Sequence, residues 1–228
     1  MDIYKLSDKI VDDKTSIDLE DSDYKITDLK SGVRNPERVN VYVNNKFAFS
    51  LDVSQVVDLK VKIGKIISFD EFEELRRASE FGKLYQRTLE WVLSRPHSER
   101  ETRDYLRRKI FERKLDEKYV GIVIEKLRVK KYLDDCRFAE WYAENRFSKK
   151  GISMKRLKME LLKKGISKDI IEETLENTDR NDENEILKMI AKKRAKYQND
   201  DKLIQYLCRQ GFQYYLVREL VLRSCEMD

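Results

Sequence analysis

Hydrophobic positions follow two different periods along the chain. Near the start, apolar and polar residues alternate in Val39–Val43 and again in Phe47–Leu51, which is typical of half-buried strands. Asn44 and Asn45 lie between these runs, where a two-residue turn needs residues that tolerate positive φ. The pattern therefore predicts a hairpin, with one more strand at Lys25–Leu29.

A hairpin of this size needs a helix to cover its apolar face. Ser68 and Glu71 have the spacing of a capping box, which predicts a helix that begins near Phe69 and continues beyond Arg77. These elements together predict a small α+β domain.

The apolar period then becomes helical, and the pattern repeats three times. Ser98, Ser153 and Asn199 are predicted to cap the second helix of each unit, and Gly165 and Gly211 follow that helix in the last two units. The third helix of each unit has apolar residues at i, i+1, i+4 and i+5, which predict one buried stripe. The stripes are Tyr119, Val120, Val123 and Ile124; Ile170, Ile171, Thr174 and Leu175; and Leu216, Val217, Leu220 and Val221.

The predicted fold is mainly α, with three tandem three-helix repeats that form an elongated curved array behind a small β-hairpin-containing α+β domain. The predicted domains are a flexible acidic arm at 1–23, the α+β domain at 24–83, and repeats at 84–131, 132–180 and 181–228. Arrays of this kind present extended faces, which suit long partners better than small substrates.

Charge is unevenly distributed along the 228 residues, whose formal net charge is +5. Residues 1–23 carry three lysines and eight acidic residues, whereas residues 84–228 have a net charge of +8. A basic body behind an acidic arm predicts a polyanionic partner, or a partner bound to a polyanion. A solvated helical surface without any partner is the alternative.

The chain offers few residues for catalysis or metal binding. His97 is the only histidine, and Cys136, Cys208 and Cys225 are too far apart for a zinc motif or a disulfide framework. Phosphate-binding, zinc-protease and serine-nucleophile motifs are absent from the sequence. We expect no enzymatic activity, no metal and no cofactor. No apolar run reaches membrane-spanning length, so we expect a cytoplasmic protein that contacts no membrane. We also expect a monomer.

Basic residues recur on the first and second helices of the repeats and predict a basic stripe that faces a nucleoprotein. Its candidate residues are Arg103, Arg107, Arg108, Lys149, Lys150, Lys155, Arg156, Lys158, Lys163, Lys192, Lys193 and Arg194. The third helices are acidic or apolar, which disfavours base readout by a helix-turn-helix. Interleaved aromatic residues such as Tyr214 and Tyr215 offer stacking surfaces, so direct binding of single-stranded DNA is the second interpretation.

A pair of carboxylates begins a helix in the middle of the chain. Asp134 is predicted to be its N-cap, and Asp135 lies at the positive end of the helix dipole. A metal or acid–base site is the alternative interpretation, but neither a histidine nor a third acid lies at ligand spacing.

The run Tyr132-Leu133-Asp134-Asp135-x-Arg137-Phe138-Ala139 resembles the signature of RecX regulatory proteins. Arg95, Ser98, Gly151–Ser153 and Glu160-Leu161-x-x-Lys164-Gly165-Ile166 also match, and the similarity covers about residues 24–228. We predict a structural role for the family-motif residues Leu133, Asp134, Asp135, Arg137, Phe138, Ala139 and Gly165. Of these, Asp134, Asp135 and Phe138 are predicted to build the junction of the first two repeats.

The resemblance implies a non-catalytic regulator that lodges in the groove of RecA filaments on single-stranded DNA. Proteins of this family restrain strand exchange and ATP hydrolysis, and thereby modulate recombination, DNA repair and the SOS response. The implied partners are the RecA filament and single-stranded DNA, contacted directly or through the filament.

Overall fold

The computed structural model describes residues 24–32, 35–178 and 181–226, so the predicted acidic arm lies outside the described residues. The strands are β1 (Tyr24–Ser31), β2 (Arg38–Val43), β3 (Lys46–Asp52) and β4 (Ile66–Ile67). The helices are α1 (Val53–Asp58), α2 (Phe69–Leu93), α3 (Glu99–Arg113), α4 (Lys118–Val129), α5 (Asp135–Lys150), α6 (Met154–Lys163), α7 (Lys168–Glu176), α8 (Asp182–Lys193), α9 (Asp200–Arg209) and α10 (Tyr214–Glu226). The predicted fold class, mainly α with a small N-terminal sheet, is confirmed.

The four strands form one antiparallel sheet in the order β3-β2-β1-β4. Asn44 and Asn45 make the predicted turn between β2 and β3, with φ of 49° and 65°. The edge strand β4 was not predicted from the sequence. Its two residues, Ile66 and Ile67, are too few to show an alternating pattern, and only Ile67 is buried.

A β-bulge changes the face to which Phe47 belongs. The alternation places Phe47 with Phe49 and Leu51, but the register shifts between Val41 and Tyr42. Phe47 is consequently paired with Tyr42, and their ring centroids lie 6.0 Å apart. Phe47 is 49% exposed as a result, whereas Phe49 and Leu51 are buried.

Helix α2 covers the apolar face of the sheet, as the Ser68 capping box predicts. The Ser68 hydroxyl accepts a hydrogen bond from the Glu71 amide at 3.2 Å, and the Glu71 carboxylate accepts one from the Ser68 amide at 3.0 Å. The core consists of Ile26, Val41, Val43, Phe49, Leu51, Val61, Ile67, Phe72, Leu75 and Ala78. Helix α1 adds Val56 to this core and leaves Val53 and Val57 exposed.

A buried amide joins α1 to α2. The Gln55 side chain donates to the Ala78 carbonyl at 2.7 Å and accepts from the Asp52 amide at 3.0 Å. The Ser79 hydroxyl links α2 to β3 by donating to the Ser50 carbonyl at 2.7 Å. These bonds satisfy polar groups that burial would otherwise leave without partners.

The described residues divide into two compact units, one within Met1–Trp91 and Leu106–Val123, the other within Val92–Tyr105 and Ile124–Asp228. In the second unit, α5, α6 and α7 form one three-helix repeat, and α8, α9 and α10 form the next. Each repeat has its own core of buried apolar residues. None of the described helices combines the length and the apolar content that a membrane span requires.

The turn at Asn45 provides a test of the sheet. Asn45→Ala should lower the free energy of unfolding by about 1 kcal/mol, because a side chain with a Cβ is disfavoured at positive φ and alanine lacks the local polar contacts of asparagine. Asn45→Gly, the control, should leave stability unchanged or raise it. Urea unfolding of both variants measures the difference, and equal stability of the two would contradict this account.

Candidate functional site: repeat junctions and an exposed basic surface

The paired carboxylates of the central motif serve two different helices. The Asp134 carboxylate caps its own helix, α5, by accepting from the Arg137 amide at 3.1 Å, as predicted. The Asp135 carboxylate accepts at 2.9 Å from the amide of Glu99, the first residue of α3. Asp135 therefore caps α3, a helix of the predicted first repeat, and the sequence pattern does not reveal this contact.

The same arrangement recurs one repeat later. Asn181 caps α8 by accepting from the Asn184 amide at 2.9 Å. The next residue, Asp182, accepts at 2.8 Å from the amide of Met154, the first residue of α6. The signal in the sequence is a capping residue followed by aspartate at the start of both repeats, Asp134-Asp135 and Asn181-Asp182.

Serine caps bring the second helices of successive repeats together. The Ser98 hydroxyl accepts from the Glu101 amide at 3.1 Å and donates to the Lys164 carbonyl, just past the end of α6, at 2.8 Å. At the second junction the Ser153 amide donates to the Gln210 carbonyl, just past the end of α9, at 3.3 Å. The start of one second helix therefore meets the end of the next.

The glycines predicted to end the second helices lie at these meeting points. Gly165 and Gly211 have φ of 86° and 97°. A Cβ on Gly165 would lie 2.7 Å from the Cβ of Arg100, and a Cβ on Gly211 would lie 2.5 Å from the Ser153 hydroxyl. Each position thus requires glycine for two reasons, the backbone conformation and the close approach of the neighbouring helix.

The Glu101 carboxylate contacts three side chains at the first junction. It lies 2.6 Å from Lys164 Nζ, 3.2 Å from Arg95 Nη1 and 3.3 Å from the buried His97 Nδ1. Burial opposes ionisation, but the hydrogen bonds from these three side chains outweigh it and lower the pKa of Glu101 to about 2. Glu101 therefore remains ionised at neutral pH and binds the end of α6 to the start of α3.

The other family-motif residues lie in the core or beside it. Leu133, Phe138 and Ala139 are buried, and Arg137 is exposed. The Arg95 guanidinium lies over the Trp141 ring, 5.2 Å from its centroid. A structural role for the motif stays a prediction.

The geometry gives no support for metal or acid–base chemistry at the paired carboxylates. Burial raises the pKa of both Asp135 and Asp182, while the backbone amides that they accept from lower it. Each carboxylate is directed at a helix terminus. Within residues 24–32, 35–178 and 181–226, no group of three or more histidine, cysteine or acidic side chains is arranged to hold a metal ion.

The candidate basic residues fall into two groups. Several make ion pairs or hydrogen bonds within the chain: Arg103 with Glu99, Arg107 with Glu117, Arg156 with Glu160 and the Arg209 carbonyl, Lys158 with Glu172, and Arg194 with Asp200. Arg108, Lys155, Lys163 and Lys192 are exposed, and Lys193 is half-buried. The side chains of Lys149 and Lys150 lie outside the described part of the structure.

Helix α6 presents the clearest basic surface among the described elements. Lys155, Lys158 and Lys163 are half-buried or exposed, while Leu157 and Leu161 on the opposite face are buried. Exposed Met159 and Leu162 lie between the lysines, so the α6 face, defined as Lys155, Lys158, Met159, Leu162 and Lys163, is both basic and apolar. A single stripe along all three repeats stays a prediction. Its third-repeat candidates are Lys192 and Lys193 at the end of α8 and Arg194, which follows it.

The aromatic candidates also differ in accessibility. Tyr142 donates to the Glu160 carboxylate at 2.9 Å, and the Tyr197 and Tyr206 rings stack with centroids 5.1 Å apart. Tyr214 and Tyr215, at the start of α10, are 61% and 67% exposed. Only the last pair therefore offers open ring surfaces among these five described residues.

Comparison with known proteins places this arrangement in a family. The family model for "RecX, second three-helix domain" matches residues 134–175, and that for "Regulatory protein RecX N-terminal domain" matches residues 24–68. The regulatory protein RecX of Clostridium perfringens (strain 13 / Type A) is 31% identical over 208 residues, which cover 87% of this chain and 95% of that relative. The chain belongs to the RecX family.

Further RecX proteins agree with this assignment. The regulatory protein RecX of Bacillus velezensis (strain DSM 23117 / BGSC 10A6 / LMG 26770 / FZB42) is 33% identical over 195 residues, covering 85% of this chain and 72% of that relative. A crystal structure of a regulatory protein RecX shares the fold with a TM-score of 0.66 at 21% identity, over 86% of this chain and 98% of that one. RecX from Lactobacillus salivarius has a TM-score of 0.52 at 23% identity, over 66% of this chain and 99% of that one.

A substitution at Gly165 tests the close approach of the end of α6 to Arg100 of α3 at the first junction. Gly165→Ala should lower the free energy of unfolding by about 2 kcal/mol or more, since positive φ alone disfavours alanine by about 1–2 kcal/mol and the contact with Arg100 adds to this. The matched control is Gly121→Ala in α4, where a Cβ meets nothing within 4 Å. The control should stabilise the protein by about 0.5–1 kcal/mol. Urea unfolding measures both, and a mild effect at Gly165 would contradict the requirement for glycine.

Glu101 makes the stability of the junction dependent on pH. Its folded-state pKa is lowered, so its contribution is present above about 4.5 and is lost as the pH falls toward about 2. Glu101→Gln should lower the free energy of unfolding by about 2 kcal/mol at pH 7, and the deficit should shrink across that pH range. Urea unfolding at several pH values tests this expectation. A deficit that does not change with pH would show that the glutamate acts through packing alone.

Proposed function

We propose that this RecX family member is a non-catalytic regulator that binds RecA nucleoprotein filaments on single-stranded DNA. It inhibits the recombinase and its ATP hydrolysis, and so modulates recombination and the SOS response. The observation that carries the proposal is the basic and apolar α6 face, in a chain whose relatives are regulatory proteins RecX. Such a face suits a protein surface that lies beside phosphates.

The composition of this face favours a protein–nucleic-acid assembly over bare DNA. Lysine ammonium groups bind phosphate through charge, which makes binding dependent on salt. Met159 and Leu162, 52% and 38% exposed, offer apolar area that phosphates cannot use but a protein surface can. Hydrogen bonds hold α6 at both ends, because Ser98 donates to the Lys164 carbonyl and Ser153 donates to the Gln210 carbonyl.

ATP hydrolysis by the cognate RecA on single-stranded DNA tests the proposal directly. The protein is titrated at ratios below one per RecA protomer, and its affinity for the same DNA without RecA is measured in parallel. We expect strong inhibition at low ratios together with weak binding to bare DNA. Inhibition that begins only when the DNA itself is coated would contradict the filament-binding function.

The second candidate function is direct binding of single-stranded DNA through the basic and aromatic residues. Exposed Tyr214 and Tyr215, close in sequence to exposed Arg218, favour it because open rings can stack on bases. Steep salt dependence of binding to bare single strands would support this function, and binding that requires assembled RecA would support the first.

The α6 face provides the mutational test. The triple variant Lys155→Glu, Lys158→Glu and Lys163→Glu should remain folded and lose inhibition of RecA, with binding weakened by at least about tenfold at moderate salt. The lysine ammonium groups can be replaced without opening the core, because Leu157 and Leu161 fill it. Inhibition of ATP hydrolysis and the circular dichroism spectrum are the measurements.

A charge-matched control separates the position of the charges from the total charge. Lys46→Glu, Lys60→Glu and Lys62→Glu change the net charge equally at exposed positions in the N-terminal unit. This control should keep inhibition close to that of the wild type. Equal loss in both triple variants would mean that only overall charge matters, and unchanged inhibition by the α6 variant would reject the α6 face as the contact surface.

A further inference from the structure

An ion pair joins the α6 face to the neighbouring helix. Lys158 Nζ of α6 lies 3.0 Å from the Glu172 carboxylate of α7, and the two side chains are 41% and 56% exposed. The other two lysines of the α6 face, Lys155 and Lys163, are exposed. One of the three cations that the α6 face offers to a partner is therefore already bound to an anion of the same chain.

The α6 face is continuous along its helix. Its five residues follow the spacing i, i+3, i+4, i+7 and i+8, which keeps them on one side of an α-helix. Because each residue turns the helix by about 100°, Lys158 lies at one edge of this side and Lys163 at the other. Glu172 thus binds the face at the edge that is turned toward α7.

Glu172 and the next residue of α7 approach different helices. Burial and nearby carboxylates, Glu173 among them, raise the pKa of the Cys136 thiol on α5. Glu173 therefore lies on the side of α7 that is near α5, whereas Glu172 contacts α6. Both carboxylates are exposed, so the two residues differ in their neighbours and not in their charge or accessibility.

Two other cations of α6 serve the repeat junctions. The Arg156 guanidinium donates to the Arg209 carbonyl at 2.7 Å, and Lys164 binds the Glu101 carboxylate at 2.6 Å. The Lys158 pair differs from these contacts because it joins two partly exposed side chains. Exposed ion pairs contribute little to stability and are weakened by salt. A phosphate group can therefore displace the Glu172 carboxylate without opening a junction.

We propose that Glu172 is an intramolecular competitor for the α6 face. Its carboxylate occupies Lys158 in the isolated protein, and a phosphate of the DNA in the RecA filament must displace it before all three lysines bind. This inference rests on the proposed function and adds a residue that regulates the same face. Breaking an exposed ion pair changes an equilibrium by up to about fivefold, so Glu172 lowers the affinity of the protein for the filament by a factor of that order.

Glu172→Gln tests the inference through inhibition of ATP hydrolysis by the cognate RecA on single-stranded DNA. The substitution keeps the size of the side chain and removes its charge, so the concentration that gives half-inhibition should fall by about threefold at low salt. The matched control is Glu173→Gln, which removes the same charge one position away and should leave that concentration unchanged. Thermal melts confirm that both variants are folded.

A double-mutant cycle assigns the effect to the ion pair. In the Lys158→Gln background, Glu172→Gln should change the concentration for half-inhibition by less than about 1.5-fold, because the cation that the carboxylate occupies is gone. A threefold gain that persists in this background would overturn the inference. An equal gain from Glu173→Gln would also overturn it, since only the total charge would then matter.

Lysine acetylation in the absence of RecA separates this inference from the proposed function. Sulfo-N-hydroxysuccinimidyl acetate modifies the free amine, and the ion pair holds Lys158 as an ammonium. Peptide mass spectrometry should show Lys158 acetylated about twofold faster in Glu172→Gln than in the wild type, with an unchanged rate at Lys155. Equal rates at Lys158 would overturn the inference. Rates that differ, in a protein that fails to inhibit RecA, would instead reject the proposed function.

Discussion

The N-terminal amide of a second helix needs an acceptor, and in this protein the following repeat supplies it. Asp135 accepts from Glu99, and Asp182 accepts from Met154, so the first residue of each inner helix is paired across a junction. A carboxylate at a helix N-terminus is favoured both by the hydrogen bond and by the helix dipole. Asp135 and Asp182 therefore each cap a helix that precedes their own repeat in the chain.

The pairing also explains why small residues and ionised groups cluster at the same places. At the same junctions the end of the next second helix approaches closely, and a Cβ on Gly165 or Gly211 would collide with Arg100 or Ser153. The close approach then brings Lys164 to Glu101, where three donors keep the carboxylate ionised despite its burial. Backbone conformation, packing and charge at a junction thus depend on one another.

Much of the fold can be predicted from the sequence because the governing interactions are local. The turn at Asn44, the caps at Ser153 and Asn199, and the stripes of the third helices depend on neighbours a few positions away. Tertiary contacts decide the rest. The alternation cannot show that a bulge turns Phe47 outward, and helix-start statistics cannot show that Asp135 caps a helix 36 positions earlier. For the candidate surface, the sequence identifies cations but cannot separate exposed Lys155 from Arg156, whose guanidinium binds the Arg209 carbonyl.

Both junctions use the same three parts, an aspartate after the cap, a capped second helix and a closing glycine, although Glu101 of the first junction is replaced by Arg156 at the second. A gene segment that encodes one whole repeat could be duplicated in frame, and the new copy would find its amide, its carboxylate and its glycine already matched on both sides. A duplication that began or ended within a repeat would leave an amide without its acceptor. The junction chemistry thus sets the unit in which a protein of this architecture can lengthen or shorten during evolution.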